Sequence, residues 1–292
     1  MRIETQKGIV LSISLIAFAL MVNHLMFAQE VPKEEPKFGW KNALVGNLNI
    51  TQTSFDNWAQ GGDNSSAWQL NINGEARNSA VNYKWDNSGK IGYGRTKIAD
   101  IESRKSVDEV KAESVFTYLL GTYVNPYVAA TGVTQFTAGY DYKKDPKTEI
   151  SNILDPGYFT QSAGVGYEPA KGFKTRLGFA VKETITRNFP APYADDPETD
   201  EIEKTKIEPG LESVTDYTKA LIGNILLTSK LDIFSNFKGI KEVDVKWDNI
   251  FAAKLTQYVN VNFNITFFYD RNVSVKRQLK QSLSLGLTYS FL

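Results

Sequence analysis

The chain contains no cysteine, and its single histidine, His24, lies with all three methionines inside the first 28 residues. Those residues, followed by Gln29 and Glu30, read MRIETQKGIVLSISLIAFALMVNHLMFAQE. Arg2 and Lys7 precede an apolar run from Ile9 to Val22, and the small residue Ala28 closes the segment. This is the pattern of a secretory signal cleaved after Ala28. The exported remainder then holds neither histidine nor cysteine. That excludes a Ser-His-Asp triad, a Cys-His pair, a disulfide framework, a zinc site of the usual ligands and a lipid-modified N-terminal cysteine. Carboxylate chemistry, for instance between Asp244 and Asp248, is what remains, and the chain is not expected to be an enzyme. No later apolar run is long enough for a membrane helix. There is no excess of one charge either, because losing Arg2, Lys7 and Glu4 moves the formal charge only from zero to −1. Nucleic acid is therefore not an expected partner, and no cofactor is expected.

What the chain does have is length, aromatic residues and alternation. After a polar, proline-bearing leader at 29–38, residues 39–292 form one expected domain. The segment YVNVNFNITFFYD sets Val259, Val261, Phe263, Ile265, Phe267 and Tyr269 against Asn260, Asn262, Asn264 and Thr266, with Phe268 as the exception. Such period-two patterning is a β-strand with one apolar and one polar face. It recurs near Lys41 to Thr53, Ser65 to Arg77, Val81 to Lys97, Val107 to Gly121, Tyr127 to Tyr142, Tyr158 to Glu168 and Phe173 to Arg187. Leu211 to Leu221, Ile225 to Phe234, Glu242 to Leu255 and Gln278 to Leu292 complete about twelve strands. The one at Leu211 to Leu221 has ambiguous faces, because Asp216 and Lys219 interrupt it.

Loop length decides what covers the apolar face. Connections near 54–64, 100–106, 143–157, 188–210, 236–241 and 271–276 are long or irregular. Those near 78–80, 122–126, 169–172, 222–224 and 256–257 are short. Strict long-short alternation over long strands predicts a transmembrane antiparallel up-and-down β-barrel of about 12 strands, with both termini in the periplasm. A soluble sandwich would not sort its loops by parity. Tyr83, Trp85, Tyr127, Tyr140, Tyr158, Tyr167, Tyr269, Tyr289 and Phe291 lie near strand ends and are expected to form interfacial girdles.

Several segments carry a resemblance: SFDNWAQGGDNSSAW, SRKSVD, TQF, LDPGY, IFSNF and FFYDRN, in that order. Together, over roughly Trp40 to Leu292, they resemble an uncharacterised outer-membrane barrel family of the Bacteroidota, domain of unknown function 3078. The resemblance implies a fold and an outer-membrane location but no activity. Arg271 and Asn272 stand where relatives often carry acids, so no metal role is taken from that loop. The terminal Tyr289-Ser290-Phe291-Leu292 resembles the C-terminal signal read by the barrel-insertion machinery, with its aromatic penultimate rather than last. Outer-membrane lipid, lipopolysaccharide and that machinery are the expected partners.

The polar faces place eleven bases and seven acids in the expected lumen, among them Lys84, Lys111, Glu113, Arg176, Lys182, Asp244, Lys246, Asp248 and Lys254. This basic surplus points to a narrow passive channel for small polar or anionic solutes. The alternative is a filled barrel that presents its loops for binding. In the first long loop Trp58, Gly61, Gly62, Asp63 and Asn64 form an extracellular motif. Its Gly and Asx residues suit a turn, although Asp56, Asp63, Asn57 and Asn64 are also oxygen ligands that calcium uses. The 188–210 loop holds seven acids and is expected to be a solvated segment, with a divalent-mediated contact to surface polysaccharide as its sharper alternative.

Overall fold

The computed structural model describes residues 38–55, 62–121, 123–237, 243–270 and 276–291. The expected signal segment, most of the leader, Trp58 and Gly61 lie outside the described residues. The strands are β1 (Gly39–Thr53), β2 (Ser65–Ser79), β3 (Tyr83–Ile98), β4 (Arg104–Tyr118), β5 (Val124–Thr134), β6 (Gly139–Asp141) and β7 (Thr148–Ser151). They continue as β8 (Gly157–Ala170), β9 (Phe173–Ile185), β10 (Thr205–Ala220), β11 (Ile225–Asn236), β12 (Val243–Lys254), β13 (Val259–Tyr269) and β14 (Gln278–Ser290). One short helix, α1 (Pro190–Tyr193), sits between β9 and β10.

Twelve of these strands close into a barrel in sequence order, β14 pairing with β1, and all neighbours are antiparallel. The remaining two, β6 and β7, form a separate hairpin inserted between β5 and β8. Here the structure corrects the sequence reading. The fifth strand ends at Thr134 rather than running on to Tyr142, and Tyr140 belongs to this hairpin instead of a girdle. Its ring lies 5.0 Å from the Lys147 ammonium. A second correction concerns the acidic loop. β10 begins at Thr205, so Glu208 is a buried strand residue and not part of a solvated segment.

Pairing register fixes which face is outside. Trp247, Phe267, Leu279 and Leu231 lie in adjacent paired rows, and Leu283 and Leu285 on the same outer face are more than half exposed. Meanwhile the buried side chains include Glu208, Glu212, Arg176, Asp270 and Asn262. The molecule is thus inside out relative to a water-soluble fold, which is the arrangement a hydrocarbon surround requires of a closed barrel.

Outward aromatics cluster at both rims. At the short-turn rim Trp40 meets Trp85 at 5.7 Å, Tyr83 stacks on Phe116 and Tyr258 on Tyr289. Toward the long-loop rim Trp68 meets Tyr93, Tyr93 meets Phe136 and Trp247 stacks on Phe267. The sequence KWDN occurs twice, at 84–87 and 246–249, and gives one tryptophan to each rim. Trp85 Nε1 donates to Ser114 Oγ at 2.9 Å, and Ser114 donates to Asn87. Trp247 Nε1 donates to Ser229 Oγ at 2.9 Å, and Ser229 to Asn249. An indole N–H facing apolar surroundings needs a partner, and a serine on the neighbouring strand supplies it.

Tyr127 and Tyr158, also expected in the girdles, point the other way. Tyr127 pairs across from Gly164 on the inward face and is 4% exposed. Its hydroxyl lies 2.6 Å from where a side chain on Gly178 of β9 would begin, so only glycine leaves room for the ring. Tyr158 faces the lumen beside Lys182, 6.0 Å from the ring centre. Both rings lie beside interior cations, Arg176 for Tyr127 at 5.7 Å and Lys182 for Tyr158, and not at a lipid interface.

Candidate lumen site

The lumen is built from the inward rows of the paired strands, and all nine charged residues singled out from sequence lie on those rows. Lys84, at the short-turn rim, pairs with Glu168 at 2.8 Å. Lys254 also faces inward near that rim. The other seven meet in three groups of ion pairs.

At the waist, Glu113 on β4 accepts from Lys230 on β11 at 2.9 Å and from Arg176 on β9 at 3.4 Å, while Lys111 lies 3.5 Å from Asp232. Beside it Glu109 on β4 meets Lys90 at 2.9 Å and Lys246 on β12 at 3.3 Å. Lys246 also lies 3.6 Å from Asp248, which accepts from Thr266. Toward the long loops Lys182 on β9 bonds Asp244 on β12 at 2.6 Å and lies 3.7 Å from Asp270. The Phe234 ring closes over that ammonium at 5.7 Å. Tyr158 of LDPGY, Phe234 of IFSNF and Asp270 of FFYDRN therefore converge on Lys182, though they are far apart in the chain.

Two of these groups cross the barrel. In the twelve-strand ring β4 stands opposite β12 and next to opposite β11. Glu109–Lys246, Glu113–Lys230 and Lys111–Asp232 thus form a bar that divides the lumen into two arcs. One arc, over β5, β8, β9 and β10, is packed. Its inward side chains include Tyr127, Ser162, Arg176, Thr184, Glu208 and Glu212, all buried, with the side chains of Arg176 and Glu208 9% and 5% exposed, while Lys174 and Asp216 at its short-turn end are partly exposed. Ser162 donates to Glu212 at 2.6 Å and Asn236 to Glu208 at 3.1 Å.

The other arc, over β13, β14, β1, β2 and β3, is lined mostly by amides and hydroxyls. Asn262 on β13 bonds Asn49 on β1 at 3.1 Å, spanning β14 at Gly286, where no side chain has room. Asn47 donates to Thr288, which donates to Asn260. These bonds run along the wall between close strands and do not cross the lumen. Asn73 is exposed, and the side chains of Glu75 and Arg77 are 45% and 53% exposed although they point inward.

The structure also alters the charge balance. Glu109, Glu168, Glu208, Glu212 and Asp216 join the inward rows, against Lys41 and Lys206 as additional bases. The basic surplus read from the sequence falls close to parity across the whole lumen. The carboxylates, however, sit mainly in the bar and the packed arc. In the described loop motif, Asn64 closes a turn by accepting from the Phe55 N–H at 2.6 Å, and Gly62 has φ +141°.

Outside the strands, the long loops are tied to one another. Asp155 is buried and accepts from the backbone N–H of Arg187 at 2.8 Å, Asn188 at 2.9 Å and Phe189 at 3.4 Å. Burial alone would raise its carboxyl pKa. The three N–H donors outweigh burial and hold it below the usual carboxylate value. Gln135 of TQF donates to Asn152 O, and Asp108 of SRKSVD accepts from the N–H groups of Phe136 and Thr137.

Among known families, one described as "Protein of unknown function (DUF3078)" matches residues 50–140. That span holds the SFDNW, SRKSVD and TQF segments, while LDPGY, IFSNF and FFYDRN lie beyond it. No curated protein matches the chain. Among solved structures, the translocator domain of autotransporter NalP from Neisseria meningitidis is 9% identical. The alignment covers 98% of this chain and 96% of that one, with a TM-score of 0.40. A CymD monoaromatic hydrocarbon channel is 9% identical over 87% of this chain and 88% of that one, TM-score 0.34. A mutant Rhodopseudomonas blastica porin is 8% identical over 86% and 100%, TM-score 0.27. At such scores the closed barrel rests on the strand pairing described above.

Proposed function

We propose that the protein is a bacterial outer-membrane barrel acting as a narrow passive channel for small polar or anionic solutes, with its path along the amide-lined arc. The observation that carries this reading is the division of the lumen. A bar of ion pairs and a dry arc fill one side, while on the other side the amides and hydroxyls bond along the wall, Lys280 reaches over them to Ser106, and Asn73, Glu75 and Arg77 stand exposed. Amides and hydroxyls replace part of a polar solute's hydration without fixing it by charge. A preference for anions is supported by position rather than by total charge, since Lys280 faces the open arc without a carboxylate at contact distance among the described residues, while most lumen carboxylates are engaged in ion pairs. That engagement of the carboxylates with bases also supports a non-enzymatic role.

Lipid, lipopolysaccharide and the insertion machinery are its proposed surroundings. The apolar outer face and the two aromatic girdles support the first two. For the third, Phe291 folds back, its N–H on Leu44 O at 2.8 Å and its ring over Gly46. β1 begins and β14 ends at the short-turn rim, which we assign to the periplasm. A second reading, a closed barrel that only presents loops, is favoured by the bar itself, because Glu109–Lys246 joins opposite strands. Refolded protein in planar bilayers separates the two. Reproducible unitary conductance supports the channel, and its absence with insertion verified by heat-modifiable gel mobility supports the closed barrel.

A further inference from the structure

The long-loop end of the open arc is crossed by a single described lysine. Lys280 sits on the inward row of β14, and its ammonium donates to the carbonyl oxygen of Ser106 on β4 at 3.1 Å. Between β14 and β4 the ring runs through β1, β2 and β3. The side chain therefore lies as a chord across the proposed path. Ser106 can offer its carbonyl because the β3–β4 ladder slips there: Gly94 pairs with Val107 and Arg95 with Lys105, leaving Ser106 as the extra residue of a bulge.

The lysines that form the bar and the long-loop cluster have different partners. Lys246 meets Glu109, Lys230 meets Glu113 and Lys182 meets Asp244, so their charges are cancelled at contact distance. Lys280 is held by a neutral acceptor, and it is exposed. A bond from an ammonium to a carbonyl is weaker than one to a carboxylate and is readily exchanged. No carboxylate meets this ammonium at contact distance among the described residues, so it can turn to whatever enters the mouth. Ser282 and Ser284, on the same inward row, and Asn264, which donates to Ser282, continue from it toward the short-turn rim.

Building on the channel reading above, we propose that Lys280 is the residue that selects for anions: a small solute bearing a carboxylate or phosphate group replaces the Ser106 carbonyl on the ammonium and passes from there to the amide wall. The arm opens by exchanging one acceptor for another, with no ion pair to break.

The test uses the full mature chain refolded into planar bilayers under a KCl gradient, each variant first shown to migrate as a folded barrel. Wild type should favour chloride. Lys280→Gln should lower the chloride-over-potassium permeability ratio roughly threefold, and Lys280→Glu should invert the preference, as expected for removing and then reversing one charge within a few ångströms of the path. Inorganic phosphate should reduce the wild-type chloride current more than that of Lys280→Gln. Because the chain lacks cysteine, Lys280→Cys offers an independent route in already inserted protein. A cationic thiol reagent should restore anion preference and an anionic one reverse it. Conductance with the same selectivity in every variant overturns the role of Lys280 and leaves the channel standing. Folded, inserted wild type with no conductance overturns the channel reading itself, and the Lys280 proposal with it.

Discussion

The two arcs of the lumen are made by the same strand geometry, yet they use polarity for opposite ends. In the dry arc and the bar beside it, charges are withdrawn from water and must be matched: Arg176, Glu113, Lys230 and Glu212 form one connected group, and Lys182 binds two aspartates. In the open arc amides and hydroxyls predominate and bond to near neighbours, and the charges among them, such as Glu75 with Arg77, stand about half exposed. A buried ion pair is a weak source of stability in itself, but removing one member leaves the other uncompensated. The dry arc should therefore be intolerant of single changes that the open arc accepts.

The sharpest way to break this contrast is at Glu113, which serves Lys230, Arg176 and Lys111 at once. Glu113→Leu leaves three cations facing each other in a place with little water. The expected loss is about 3–5 kcal/mol, read from urea unfolding in lipid vesicles. An unchanged midpoint would mean that the waist is wet after all. Next in size is Gly178→Val on β9. A side chain there would begin 2.6 Å from the Tyr127 hydroxyl and inside the backbone of the facing strand at Ala163. Overpacking of this kind costs about 1–3 kcal/mol. Pairing Gly178→Val with Tyr127→Ala should recover part of that loss if the ring is the obstacle, and none of it if the backbone clash dominates.

The loop rim gives a pH-dependent version of the same comparison. Asp155 is charged and buried like the dry arc, but its partners are backbone N–H groups from 187–189. Its pKa is depressed in the folded state, so its contribution is present in full above the ordinary aspartate value of about 3.9 and is lost as pH falls through the lower folded value. Limited proteolysis with an acid protease should show the 187–204 segment becoming cleavable only toward that acid limit. Asp155→Ala should make it cleavable at neutral pH, at a cost of about 1–3 kcal/mol for the orphaned donors. Equal cleavage of wild type and variant at pH 7 would show that Asp155 does not hold the 187–189 backbone in place.

How much of this was legible from residues alone follows from where polarity alternates cleanly. β9, β12, β13 and β14 put mostly apolar side chains on one parity and mostly polar ones on the other, with Glu183, Ile250, Phe268 and Gln281 among the exceptions, and their lumen rows read directly. β10 did not, because its outward row includes Pro209, Ser213 and Thr215 while its inward row includes Val214. Neither face is uniformly apolar, so Glu208 and Glu212 were missed. Tyr127 and Tyr158 were misplaced by residue type. Parity held the missing signal, since Tyr127 shares its face with Asn125, and Tyr158 shares its face with Thr160 and Ser162. The bar itself had no local signal. Glu109 and Lys246 are 137 positions apart, and their meeting depends on how the ring closes.

The smallest expected effect on stability is in the open arc, and it is the one that separates a wall from a path. Asn73 is exposed, points inward beside Lys90, and has no partner across the lumen among the described residues. Asn73→Ser should change stability by no more than about 0.5 kcal/mol, because water replaces whatever the amide contributed. Asn73→Trp should be nearly as mild for folding but should lower the unitary conductance, since the ring enters the space that solutes use. The informative comparison is with Val214→Trp in the dry arc, where the residue replaced is already 2% exposed and sits among buried side chains. There, the variant should fail to fold before it changes any current. If instead Asn73→Trp leaves conductance untouched while a dry-arc substitution that still folds reduces it, the path runs on the other side of the bar.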